Sequence, residues 1–226
     1  MKLHLPTVLL AAVLACVSQP VIATETINLN THNWDQYVGD YGNPGYPQFD
    51  NVNLSLNGNW AVNLDKFYNI TWGATDDGSY TLTGQGTMDF KDEVFTIFGG
   101  TSKGLGIGNA KYMISSGIVL QNATLEAYGG AQVTFNGSIS PATNKETPCS
   151  FSVYSEDEHL SLIDLRGATI KDSDFVKLEF DQGTIIRDQY TVSATHGFEI
   201  WYSSNSTFTG KSVLQGNLTL ANNGKV

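Results

Sequence analysis

Cysteine, positive charge and long apolar runs are all scarce in this sequence, and each scarcity removes a class of protein. Only two cysteines occur in 226 residues, Cys16 and Cys149. Cys16 lies in an N-terminal apolar segment, so the rest of the chain holds one thiol and no internal disulfide. Its stability must come from packing and hydrogen bonds. Lys and Arg total 12 against 22 Asp and Glu, a formal charge of -10. Nucleic acid and anionic lipid surfaces both demand Lys/Arg patches, so neither is an expected partner. After residue 23 no stretch approaches the ~20 apolar residues that cross a bilayer as a helix, so no transmembrane segment is expected. HExxH and CxxC motifs are both missing, and His32, His159 and His196 stand isolated from one another. The expectation is therefore no catalytic set, no cofactor and no metal site.

What is present begins with an export signal. Lys2 precedes an apolar run, Leu3 to Val17, interrupted only by His4, Pro6 and Thr7. The segment closes on Val21-Ile22-Ala23, with small residues where a signal peptidase reads, so residues 1–23 are expected to be a signal peptide cut between Ala23 and Thr24. Removing Lys2 moves the net charge to -11. A rival site is Val13-Leu14-Ala15-Cys16, which resembles a bacterial lipobox and would make Cys16 a lipidated first residue. Either route predicts an exported chain, extracellular or at the outer cell surface, with a lipoprotein anchored through Cys16 as the alternative.

Short alternating runs fill the remainder. Val52–Leu56, Tyr80–Leu82, Val94–Phe98, Gly117–Leu120, Ala123–Tyr128 and Gln132–Phe135 are β-branched or aromatic and bounded by Gly, Asn, Asp or Ser. Phe175–Phe180, Phe198–Tyr202 and Asn217–Leu220 continue the pattern. This is the signature of strand and turn, and no window keeps a 3.6-residue period, so the fold class is all-β. An apolar–polar–Gly–polar–apolar motif recurs at Leu56–Trp60, Phe135–Ile139 and Leu214–Leu218, with a looser copy at Leu82–Gly86. Its glycines, 58, 84, 137 and 216, are spaced near multiples of 26. Helix-free repeats of this length predict stacked coils, a right-handed parallel β-solenoid over 76–226. A β-sandwich of jelly-roll type is the alternative.

Residues 24–75 differ in character. Trp34, Tyr37, Tyr41, Tyr46 and Phe49 crowd with Gly39, Gly42, Pro44, Gly45 and Pro47, which reads as an irregular aromatic cap over the first strands. The same aromatics offer ring faces to sugars, making Trp34, Tyr37 and Tyr41 the candidate ligand-binding residues. At the other end, Leu220–Val226 breaks off in mid-pattern, so the expectation is either an exposed last coil or a longer product with further coils, a C-terminal translocator or an anchor.

The polar clusters carry little chemistry. Glu156-Asp157-Glu158-His159 is the densest, but neighbours in an extended segment point to opposite sides, so it reads as a solvated loop. Asp172-Ser173-Asp174 lacks the rest of a calcium loop, and Asp76-Asp77-Gly78 reads as a turn. Thr195-His196-Gly197 resembles one element of polygalacturonase-type hydrolases whose other elements are missing, and the net charge is ill suited to an acidic polysaccharide. Asn-x-Ser/Thr triplets at Asn53, Asn69, Asn122, Asn136, Asn205 and Asn217 follow from a composition rich in these residues.

Two longer strings, Gln132–Ser140 and Ser206–Gly224, resemble the passenger repeats of bacterial autotransporter-like surface proteins, in which Phe-x-Gly and Gly-Asn-Leu-Thr-Leu pieces recur. The resemblance covers roughly the last 110 residues. It implies an exported right-handed β-solenoid, although nothing in this chain can form the C-terminal membrane barrel of that family. The expected function is non-catalytic structural or adhesive display, with glycans or host matrix proteins as partners. A carbohydrate-binding β-sandwich and a polysaccharide-active enzyme are the alternatives.

Overall fold

The alternating runs form strands, and the chain winds them into coils. The computed structural model describes residues 25–37, 47–62, 69–75, 77–102, 104–120, 122–140, 149–156, 158–170, 176–181, 183–192, 198–202 and 213–220. Both processing sites, Cys16 and Ala23-Thr24, lie outside these residues, as does Tyr41.

Three sheets result. The first has eight strands: β1 (Glu25–Asn28), β3 (Val52–Asn57), β6 (Ser79–Gln85), β9 (Lys111–Ile114), β12 (Gln132–Phe135), β15 (Ser161–Asp164), β18 (Gly183–Val192) and β20 (Val213–Leu220). The second has five: β4 (Trp60–Ala61), β7 (Thr87–Asp89), β10 (Gly117–Val119), β13 (Ser138–Ser140) and β16 (Thr169–Ile170). The third has seven: β2 (Gln48–Asp50), β5 (Ile70–Gly73), β8 (Val94–Phe98), β11 (Thr124–Tyr128), β14 (Cys149–Tyr154), β17 (Val176–Asp181) and β19 (Phe198–Tyr202). From β3 the chain visits the three sheets in turn, and β6 then lies beside β3. Every strand pairing is parallel, as in β3 with β6, β7 with β10 and β8 with β11. That is a right-handed parallel β-solenoid, and it replaces the jelly-roll alternative, which needs antiparallel strands.

Period-two alternation puts one side chain in two inside, and parallel register stacks them coil upon coil. Leu54, Leu82, Ile114 and Phe135 form one buried column, and Ile70, Phe95, Leu125, Phe151 and Leu178 another. Met88, Ile118 and Ile139 make the third wall. Each such side chain contributes about 1.5–3 kcal/mol by leaving water. Buried Trp72 packs its ring against Tyr112, and its indole N–H donates to the Val52 carbonyl at 2.9 Å.

The repeat differs from the constant 26 residues expected. Ile27 pairs with Leu54, Leu54 with Leu82, Tyr80 with Tyr112, Tyr112 with Val133, Val133 with Ile163 and Ile163 with Ile185, so successive coils take 27, 28, 32, 21, 30 and 22 residues. Insertions enter at the turns, while the strands stay aligned. Gly58 and Gly137 do share a corner, between the eight- and five-stranded sheets, but their partner there is Gly86 rather than Gly84. Gly84 sits opposite Leu56, two positions earlier, and Gly216 falls in β20 beside the register shift of β18. The corner wants a small residue because the coils touch there: a Cβ on Gly86 would meet the Gly58 carbonyl, and one on Gly137 the Ser116 carbonyl.

Asparagine is abundant because it ties coil to coil. The Asn53 amide oxygen accepts from Thr81 N (2.8 Å) and Thr81 Oγ1 (3.3 Å), and Asn59 does the same for Thr87 at 3.1 and 3.2 Å. At the first coil a 3-10 turn, Trp34–Tyr37, supplies the aromatic cap. Trp34 stacks on Trp60 at 5.0 Å, meets Phe49 edge-on at 5.9 Å, and donates its indole N–H to the Leu29 carbonyl at 2.9 Å. His32 completes the cluster 5.3 Å from Trp34. Burial holds its pKa below the usual value, with Glu25 opposing.

Candidate functional site

The outward side chains define three places where chemistry gathers. The first is an aromatic row on the seven-stranded sheet. Phe98, Tyr128 and Tyr154 occupy equivalent, half-buried positions on β8, β11 and β14, since Tyr128 pairs with both Phe98 and Tyr154. Tyr128 and Tyr154 stack at 5.0 Å with planes 5° apart, and Phe98 meets Tyr128 edge-on at 5.3 Å. Carboxylates flank the row: Glu126 accepts from Thr96 Oγ1 at 3.0 Å, and Glu156 accepts from the Tyr128 hydroxyl at 2.7 Å. Burial, and then the Glu156 carboxylate, push the Tyr128 phenol well above its ordinary pKa, so it stays a neutral donor.

Just past the row lies the turn that joins the seven-stranded to the eight-stranded sheet. Glu156 and His159 close a tight turn there, with the His159 amide on the Glu156 carbonyl at 3.0 Å. The His159 ring contacts the Asn109 amide oxygen at 3.1 Å, and the Asn109 backbone N–H donates to Asp77 at 3.1 Å. His159 crosses Gly130 on the way. Gly130 has φ +93°, and a Cβ there would strike both the Gly108 carbonyl and the His159 side chain. The cluster is thus a set of coil-to-coil braces that belong to the surface, near a recess of about 200 Å³ bounded by Thr75, Asp77, Gly100 and Ile107.

The third place is a groove of about 420 Å³ on the outer face of the eight-stranded sheet, with Lys111, Met113, Thr134 and Leu162 among its walls. Two outward rows build it. Ser79, Lys111, Gln132 and Leu162 are in register in one, and Thr81, Met113, Thr134 and Asp164 in the other. Asp164 is held by the Arg166 guanidinium, whose hydrogen bonds keep its carboxyl below the usual range.

Of the three aromatics expected to bind ligand, Trp34 is half-buried with its ring and N–H engaged in the cap, and Tyr37 ends the 3-10 turn. The element Thr195-His196-Gly197 and the acids Asp172 and Asp174 lie outside the described residues. The Phe98–Tyr154 row was not singled out from the sequence, although a signal existed. An aromatic followed by two small residues recurs at Phe98-Gly99-Gly100 and Tyr128-Gly129-Gly130, and Tyr154 precedes Ser155. The groove left no such trace, because it draws one or two outward residues from each of four coils.

Comparison with protein-family models, with curated proteins and with solved structures finds no match.

Proposed function

We propose that this chain is an exported, non-catalytic β-solenoid that works outside the cell or at its outer surface, where its lateral faces recognise glycans or matrix proteins. The signal-type N-terminal segment, the single remaining thiol and the acidic charge support export. The in-register row Phe98–Tyr128–Tyr154, with Glu126 and Glu156 beside it, carries the recognition reading. Stacked coils place chemically similar groups at a strand-to-strand repeat near 4.8 Å, which suits an extended partner lying along the axis. The carbohydrate-binding role considered from sequence is proposed here for a solenoid face in place of a sandwich.

The test is the state of the protein in the cells that make it. Fractionation should find it outside the cytoplasm, with an intact mass that starts at Thr24, or at a lipid-modified Cys16. A cytoplasmic protein that retains residues 1–23 contradicts the proposal.

A further inference from the structure

The groove on the eight-stranded sheet has a chemistry unlike the rest of this acidic molecule. Its apolar lining includes Met113, which is 42% exposed, and Leu162. Exposed methionine lining a groove is an adaptable surface for a puckered ring. The rim is polar. Ser79 and Thr134 bring hydroxyls, and the Gln132 amide NH2 is committed to the carbonyls of Gly130 (3.1 Å) and Leu160 (2.7 Å). That orientation leaves the Gln132 amide oxygen to accept a hydrogen bond.

Charge makes the groove distinctive. Lys111 is exposed, lies two residues before Met113 on the same face of β9, and has no ion-pair partner among the described residues. The carboxylate next in the Met113–Thr134 row, Asp164, is bound by Arg166. The groove therefore presents an uncompensated ammonium while its in-row acid is neutralised, although the whole chain carries -10. A groove of this size with apolar walls and a few convergent polar groups has the make-up of a ligand site.

We propose that this groove binds a carboxylated sugar. One C–H face of the pyranose lies on Met113, its carboxylate faces the Lys111 ammonium, and its hydroxyls meet Thr134 and the Gln132 amide oxygen, the four residues being neighbours on β9 and β12. A neutral sugar would leave Lys111 without a counter-charge, and a simple aliphatic acid would leave the polar rim without partners. The physiological partner, an acidic glycan outside the cell, rests on the export reading given above; the groove chemistry does not. The overall negative charge, which speaks against acidic glycans from sequence alone, is offset locally by the arrangement of Lys111 and the Asp164–Arg166 pair.

Methionine provides the probe. With 13C-methyl methionine in the chain as isolated after processing, the Met113 signal reports the groove and the buried Met88 signal reports the core. Methyl β-D-glucuronide is titrated against methyl β-D-glucoside, which differs by replacement of the carboxylate. The Met113 methyl is expected to shift with glucuronide while Met88 stays in place. The glucoside should bind about fivefold more weakly at low salt, a gap that narrows as salt rises. Lys111→Gln, a change at an exposed position, should bring glucuronide down to the glucoside level. An unmoved Met113 signal, equal affinity for the two sugars, or a Lys111→Gln chain that keeps the preference would each overturn the proposal. A chain found in the cytoplasm would instead refute export and leave the groove result standing.

Discussion

Gly58, Gly86 and Gly137 share one corner of the coil but not one physical reason for being glycine. A Cβ on Gly58 would find only Asn30 Nδ2, at 3.8 Å, whereas Gly86 has φ +113° and backbone directly in the way. Gly86→Ala should therefore lower stability by about 2 kcal/mol or more, and Gly58→Ala should change it by less than about 1 kcal/mol, both read from thermal or urea unfolding. Equal effects would contradict the assignment of the corner. The pair Asp164–Arg166 gives a second residue-scale prediction. Asp164 is held below its unfolded pKa of ~3.9, so its contribution is complete above about pH 5 and is lost as pH falls through the depressed folded value. Arg166→Ala should remove that acid-side increment, which a comparison of unfolding at pH 7 and pH 3 measures. Sequence reading found the glycine motif but assigned Gly84 to it, because a fixed spacing of 26 overlooks turns that gain or lose residues.

At the scale of the element, strands with clear alternation were legible, while the ten-residue β18, with Arg187 and Asp188 at its register shift, and the shortest strands were not. Val94–Phe98, Gln132–Phe135 and Phe198–Tyr202 coincide with β8, β12 and β19, each long enough to show alternation. Strands such as β7, with Met88 as its one buried residue, or the two-residue β16 hold too few positions for a period to register. The asparagine braces were equally hidden, since Asn53 and Thr81 meet only after a full coil has been counted. Asn53→Ala removes two acceptor contacts from Thr81 and should cost about 1–2 kcal/mol. Hydrogen exchange at the Thr81 amide should quicken in the same variant. An unchanged Thr81 amide would mean that the coils hold together without the brace.

For the whole molecule, the alternation and the helix-free repeat together led to a parallel solenoid, and the structure has that architecture, with β1 to β5 already part of its sheets. The recognition surfaces were far less legible. Trp34, conspicuous in the sequence, is spent on closing the first coil, while the aromatic row and the groove are assembled from residues about 20 to 30 positions apart. A solenoid hides its surface from local reading because neighbours on a face are distant in the chain.

The measurement that tests recognition by the lateral faces most directly is a glycan and matrix-protein array probed with the chain from Thr24 onward, alongside a variant carrying Tyr128→Ala and Tyr154→Ala. The account predicts binding to a subset of targets and its loss in the variant, with the melting temperature showing that the variant remains folded. Binding that survives both substitutions, or no binding to any target, would contradict it.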